Sequence, residues 1–287
     1  MNKPTQKIQL QKREHDKAFE AFTDVTPRMS RLRIGASYVS NTAAKLKPKS
    51  GFSHILHIVL TLLLPLLLYV FVRIDFVQLA VMLVLLSKWR MFAVKARHWP
   101  ANIRANAIDI IVGVSVVLFM SEAQSQGIQF VWVIAYSFWL LYLKPKSTLL
   151  WVASQALIGQ TIGLMALYSA YGGTSTTILV VGTASTCYFA ARHYFSAYDE
   201  SLGRTTSYVW AYFGASLAWL LSHWLIYYGV VAQPALILSV VGYTLAGLYY
   251  LQHKDKLSVG VQRQFVIVLT AILLFVIVFS DWGDKTV

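Results

Sequence analysis

The chain has 287 residues, 57% of them hydrophobic and only 13% charged, with a mean hydropathy of +0.56. A water-soluble domain ordinarily carries about 25% charged residues, so this composition excludes a soluble globular protein and makes lipid the expected solvent. The formal charge of +13 does not point to nucleic acid: 11 of the 25 Lys and Arg lie in the first 50 residues, and nearly all the others fall in loops on one side. Anionic headgroups of membrane lipid are the expected partner of that charge.

Residues 1–50 read as a basic cytoplasmic arm lying on the membrane surface, followed by a transmembrane helical domain over 51–287. The first apolar run starts near His54, too late for a secretory signal. Nine apolar segments follow, at 54–72, 76–87, 107–120, 128–143, 148–170, 176–195, 207–228, 234–251 and 264–281. Turn chemistry separates several of them, as at Lys144-Pro-Lys, Tyr171-Gly-Gly-Thr and Gln233-Pro.

Nine crossings from a cytoplasmic N-terminus place 23 of the 25 basic residues inside, against Arg73 and Lys285 outside. No other parity gives such asymmetry, and positive charge is retained on the cytoplasmic side. The expected fold is an all-α, polytopic transmembrane bundle of about nine spans, N-terminus in and C-terminus out. Its expected place is the cytoplasmic membrane of a prokaryote.

The second and third segments are short for spans, and the second is expected to run on into Lys88–Val94 with its charges snorkelling. From Lys88 to Arg104, Trp89, Phe92, Ala96 and Trp99 recur at helical spacing. An in-plane amphipathic helix near 88–104, stopped by Pro100, is expected there, with Trp89, Phe92 and Trp99 as interfacial anchors. The same surface would serve to dock a partner subunit. Ala96-Arg97-His98-Trp99 is echoed 95 positions later by Ala191-Arg192-His193-Tyr194. That offset maps the first span onto the fifth, as a four-plus-four duplication with an added last helix would, although other segments register poorly.

Ionisable groups inside spans mark functional candidates. Asp109, one turn into the third segment, reads either as a proton- or cation-binding carboxylate or as the partner of Arg104 or Arg97. In the seventh segment Tyr212, Ser216, Trp219, His223 and Tyr227 share one helical stripe, expected to face the bundle. By depth, His223 is expected to meet Gln160 or Tyr168 of the fifth span, with Asp109 too shallow to reach it. The expected substrate pathway is therefore His223, Trp219, Ser216, Tyr227, Gln160, Tyr168 and Asp109. Gly159-x-x-x-Gly163 has the small-residue spacing that lets helices approach closely. The ninth segment, almost wholly aliphatic around Thr270, is expected at the lipid-facing edge.

Asp199-Glu200-Ser-Leu-Gly-Arg204 followed by Trp219-x-x-x-His223 resembles the acidic-xxxR and aromatic-xxxH pattern of the bacteriocin-processing and prenyl-protease family of intramembrane proteases. The resemblance covers about one tenth of the chain and implies a general base near His223. Yet His223 lies about four to five helical turns deeper than Glu200, beyond the reach of one shared water.

Cys187 is the only cysteine, so no disulfide, zinc or paired-thiol site can form within one chain. No span carries a mid-membrane lysine for retinal, and there is no Gly-rich phosphate loop, HExxH or GxSG motif. No metal, cofactor or catalytic set is expected. The reading that follows is permease-like transport of a neutral or amphipathic small molecule or lipid. The alternatives are an intramembrane enzyme using His223 with an acidic residue, and a non-catalytic scaffold subunit of a membrane complex.

Overall fold

The computed structural model describes residues 52–198, 200–224, 227–228 and 230–281. The basic arm and the C-terminus therefore lie outside the described residues. The chain divides into two compact units, 1–57 and 58–287, and the packing below is that of the second.

Among the described residues there are nine α-helices, one for each apolar segment. They are α1 (Phe52–Arg73), α2 (Val77–Leu86), α3 (Trp99–Glu122), α4 (Gln126–Phe138), α5 (Leu149–Tyr171), α6 (Thr176–Phe195), α7 (Gly203–Leu221), α8 (Gln233–His253) and α9 (Val259–Phe279). A two-residue antiparallel ladder, β1 (Tyr227–Tyr228) with β2 (Val231–Ala232), links α7 to α8. Five helical stretches are long and apolar enough to cross a membrane: Ala96–Glu122, Gln126–Leu143 and the helices α5, α8 and α9. The other two apolar stretches, Ile58–Arg73 and Val77–Leu86, are shorter.

Short turns reverse the chain between helices. Asp75 and Asp255 each take a left-handed backbone, φ 60° and 53°, which a short polar side chain tolerates. Ser125 opens α4 by accepting from the Ile128 amide at 3.3 Å, and Ser258 opens α9 by accepting from Val261 at 3.3 Å.

The segment between α2 and α3 differs from the expected in-plane helix. It forms two 3₁₀ turns, Trp89–Met91 and Ala96–His98, and Pro100 opens α3 rather than stopping a helix before it. A proline lacks the amide that an interior position needs but suits the first turn. Met91 is buried and its carbonyl accepts from Asn102 Nδ2 at 3.2 Å, so the turns are folded back onto α3. Trp89, Phe92 and Trp99 stay exposed, the last two edge-to-face at 5.4 Å. Lys88 does not snorkel outward; its side chain is only 8% accessible.

Packing gathers the helices into two main cores. One is built by α1–α4, from Leu68, Val84, Val117, Met120 and Tyr136 among others. The other is built by α5–α8, around Leu164, Tyr168, Cys187 and Leu238. Close helix approach joins the two: a side chain at Gly159 would strike Ile108, and one at Gly163 would strike Ile111 and Thr186, all within 3 Å. Small residues thus seat α5 on α3 and α6, as the spacing predicts. Most of α9 is exposed; its buried Val276 and half-buried Val261, Phe265, Leu269 and Leu273 recur every three to four residues, a seam that meets α8 where Phe265 covers Gly247.

Candidate functional site

The stripe expected to line a pathway on α7 faces outward. Tyr212 is 76% exposed and Trp219 59%, and Ser216 and His223 are exposed as well. The helix ends at Leu221, so His223 lies in a following 3₁₀ turn, Ser222–Trp224, and Tyr227 lies in the ladder. His223 Nδ1 meets the Trp219 carbonyl at 2.8 Å and its ring stands edge-on to Trp219. Gln160 and Tyr168 bond elsewhere, as described below.

The physical reason is the packing rule for helices in lipid. The buried face of α7 is Gly203, Ser207, Gly214 and Ala218, and a side chain at Gly214 would meet Cys187 Sγ at 2.8 Å. Small residues let α6 and α7 come together, and the large rings are left outside. Glu200 and His223 sit beyond opposite ends of the 19-residue α7, roughly 27 Å apart along its axis. The protease-like pair does not form.

Asp109 has company of another kind. Its carboxylate accepts from Lys88 at 3.1 Å, Lys144 at 2.7 Å and the Trp139 indole at 3.2 Å. A π-helical turn over Trp139–Leu143 at the end of α4 brings Trp139 and Lys144 to it. Such turns re-aim side chains by inserting one residue into the helical ladder. Burial pushes the Lys88 ammonium down to about 8, against the pull of the carboxylate. Burial also works against the Lys144 charge, but Asp109 outweighs it and holds that group above its ordinary value. Alongside, Gln155 Nε2 donates to the Leu143 and Lys146 carbonyls at 2.6 and 2.9 Å, and its Oε1 lies 3.0 Å from His193 Nε2. This assembly ties the middle of α3 to the ends of α4 and α6 and the first turns of α5. Arg104 and Arg97, the expected partners, bond locally instead, to the Pro100 carbonyl and the His98 ring.

A cavity of about 260 Å³ lies between α5, α6, α7 and α8. Its walls are mainly Ala156, Leu157, Ala190, Ala191, Leu245 and Ala246, with no charged residue. At one end Gln160 spans three helices: it accepts from Trp210 Nε1 at 2.9 Å and donates to the Leu238 carbonyl at 3.1 Å. Gly242 is required there, since a side chain would meet Gln160 Nε2 at 2.8 Å. At the other end the rings of Tyr194, Phe195, Tyr198 and Tyr249 pack with centroids 4.9–6.0 Å apart. The Tyr194 hydroxyl donates to the Ala246 carbonyl at 2.7 Å and accepts from Tyr198 at 2.9 Å. Burial pushes the Tyr198 hydroxyl above its ordinary value, so it stays a neutral donor.

Of the expected pathway residues, only Gln160 lines this cavity. Tyr168 is buried nearby, its hydroxyl 3.1 Å from Thr183 Oγ1, and Asp109 belongs to the ion cluster. Trp210, Gly242, Tyr194 and Tyr249 were not singled out from the sequence. A signal existed for the tyrosines: Tyr194 and Tyr198 stand one turn apart at the end of α6, the spacing of helical neighbours. Among the described residues no three His, Cys, Asp or Glu side chains gather as a metal site requires.

No protein family matches this chain, and no curated protein or solved structure is similar to it. Fold and site therefore define a class: a helical protein with several helices long and apolar enough to cross a membrane, and an apolar cavity among four of its helices.

Proposed function

We propose that this is a permease-like multi-pass protein of the cytoplasmic membrane, with the α5–α8 cavity as the binding place for a neutral or amphipathic small molecule or lipid. The observation that carries the reading is the cavity itself: uncharged, apolar and lined by four helices. Its volume falls near the lower end of ligand pockets, which span roughly 300–1,000 Å³, and suits a small or slender occupant. The lack of charge on its walls argues against ion coupling through it.

In this reading all nine helices cross, and the loops with Lys88–Arg97, Lys144 and Lys146, Arg204, and Lys254 and Lys256 face the cytoplasm. The basic arm rests on anionic headgroups on the same side, and Trp89, Phe92 and Trp99 sit at headgroup depth. Reporters fused near Lys146, Arg204 and Lys256 then behave as cytoplasmic, and those near Gln126, Gly172 and Asp284 as external. For transport itself, the purified chain in vesicles should speed leaflet exchange of a fluorescent neutral lipid several-fold over protein-free vesicles. Ala246→Phe, which fills the cavity, should remove most of the gain. Exchange no faster than in empty vesicles would overturn the permease reading.

A further inference from the structure

The cavity's openings are set by which wall residues are exposed. Of its thirteen lining residues only Thr206, on α7, and Leu245, on α8, are exposed, Leu245 by 51%. The helices differ in the same sense, since α8 packs more extensively on α5 than on α7. The opening therefore lies sideways, between α7 and α8. Toward the end with the basic loops the route is blocked by the Tyr194–Tyr198–Tyr249 rings, with His253 edge-on to Tyr198 at 4.9 Å. Toward the opposite end it is blocked by the Trp210–Gln160–Leu238 bridge.

Each polar side chain on the wall is already engaged. Gln160 is bonded to Trp210 and Leu238, Tyr194 to Ala246 and Tyr198, and Thr206 to the Leu202 carbonyl at 3.1 Å, while the Tyr249 ring packs on Tyr194, Phe195 and Tyr198. An occupant bearing hydroxyls or amides would enter without compensation for the water or headgroup contacts it leaves, a loss that a buried polar group does not recover. A hydrocarbon chain loses nothing. A chain coming from lipid also gains no hydrophobic free energy, because the bilayer is as apolar as the cavity. What holds it is close dispersion contact with the alanine and ring surfaces, together with the high concentration of chains in the membrane.

Resting on the cavity's being the binding place, we infer that its occupant is a single hydrocarbon chain of a membrane amphiphile. The chain enters from the bilayer through the α7–α8 opening while its polar group stays outside.

Photolabelling of the full chain in lipid nanodiscs tests this. One probe is a phosphocholine lipid with a diazirine near the end of its acyl chain; the other is a small water-soluble alkyl diazirine. Labelled positions are read by mass spectrometry. The lipid-borne probe is expected to label Ala156, Gly242 and Ala246, and the water-borne probe is not. Leu245→Trp at the opening and Ala246→Phe in the cavity should each cut that labelling at least tenfold. Labelling of the exposed α9 positions Val266 and Leu274 should stay unchanged, which reports that the variants remain folded and embedded. Cavity labelling by the water-borne probe, alone or alongside the lipid, would overturn lateral entry while leaving the cavity as a binding place. Cavity labelling by neither probe would overturn both readings.

Discussion

Midway along α3 one carboxylate draws in two lysines and an indole, and beside it the α1–α4 core is filled by aliphatic side chains and Tyr136. Across α5–α8 the polar contacts are neutral, a glutamine, an indole and two tyrosine hydroxyls, and they bracket an open space rather than fill one. Both halves use antiparallel helices with small residues at their crossings. The difference lies in where polarity is spent. In the first half it gathers into one partly buried ion cluster beside a packed core, where removing one partner is costly. In the second half it props four helices apart at fixed spacing, so that the space between them survives.

Removing Asp109 tests that contrast most severely. Asp109→Ala leaves Lys88, only 8% accessible, beside Lys144 with no carboxylate. A loss of about 3 kcal/mol is expected, read from denaturation in detergent. A loss below about 1 kcal/mol would mean that the cluster is solvated like a surface pair, and the contrast between the halves would fade.

The next largest effect is a dependence on pH. Lys88 titrates at about 8 in the folded chain, against 10.5 when unfolded. Between those values the unfolded chain binds more protons, so stability rises with pH across that window. Lys144 acts in the opposite sense, but only at higher pH, because its folded value is raised. The expected gain is on the order of 1–3 kcal/mol between pH 8 and 10. Lys88→Met should flatten it, and a slope that survives Lys88→Met would assign it to another group.

Crossings shared by the two halves should respond to bulk. A side chain at Gly163 would lie 2.6 Å from Ile111 and 2.9 Å from Thr186, whereas one at Gly127 meets nothing within 4 Å. Gly163→Leu is expected to cost about 1–3 kcal/mol, and Gly127→Leu much less, in the same denaturation assay. Equal costs would remove the α3–α5–α6 contact from the account.

The smallest effect is expected where the sequence promised the largest. His223 is exposed beyond the end of α7, so His223→Ala should change stability by less than about 0.5 kcal/mol. Vesicle transport, where present, should be unchanged. A tenfold loss of exchange would return the pathway to the outer face of α7.

What could be read from the sequence follows from what each feature depends on. Nine apolar runs became nine helices because apolar length is a local property, legible residue by residue. The Gly159–Gly163 seam was legible for the same reason: two small residues one turn apart leave a groove whatever fills it. α3 starts at Trp99, before the expected 107, because Asn102, Arg104 and Asn106 dilute the apolar pattern of its first turns. In the structure Asn102 donates to the Met91 carbonyl, Arg104 to the Pro100 carbonyl and Asn106 to the Asn102 carbonyl. The face of α7 was misread because a periodic stripe says that two faces differ, not which one is inside. A polar-aromatic stripe was assigned to the bundle; Gly214 and Ala218 on the other side were the better guide. The π turn that aims Trp139 and the three-helix bond of Gln160 depend on partners 30 to 78 residues away, and no local pattern encodes them.

Two helices packed closely on each other, α6 and α7, are not among the five long and apolar enough to cross a membrane by length and composition. Thr183, Thr186 and Ser207 are buried in them, and Arg192 and Arg204 sit near their joined ends. During synthesis each leaves the ribosome before α8 exists to cover it. In the proposed reading, where both cross, their close mutual packing pairs them as a hairpin that integrates together, against α5 already in place. With all nine helices crossing in that reading, the pair follows the long apolar helices α3–α5 into the membrane and precedes α8 and α9. Either helix grafted alone into a host protein should integrate poorly, and the α5–α8 segment grafted whole should integrate well.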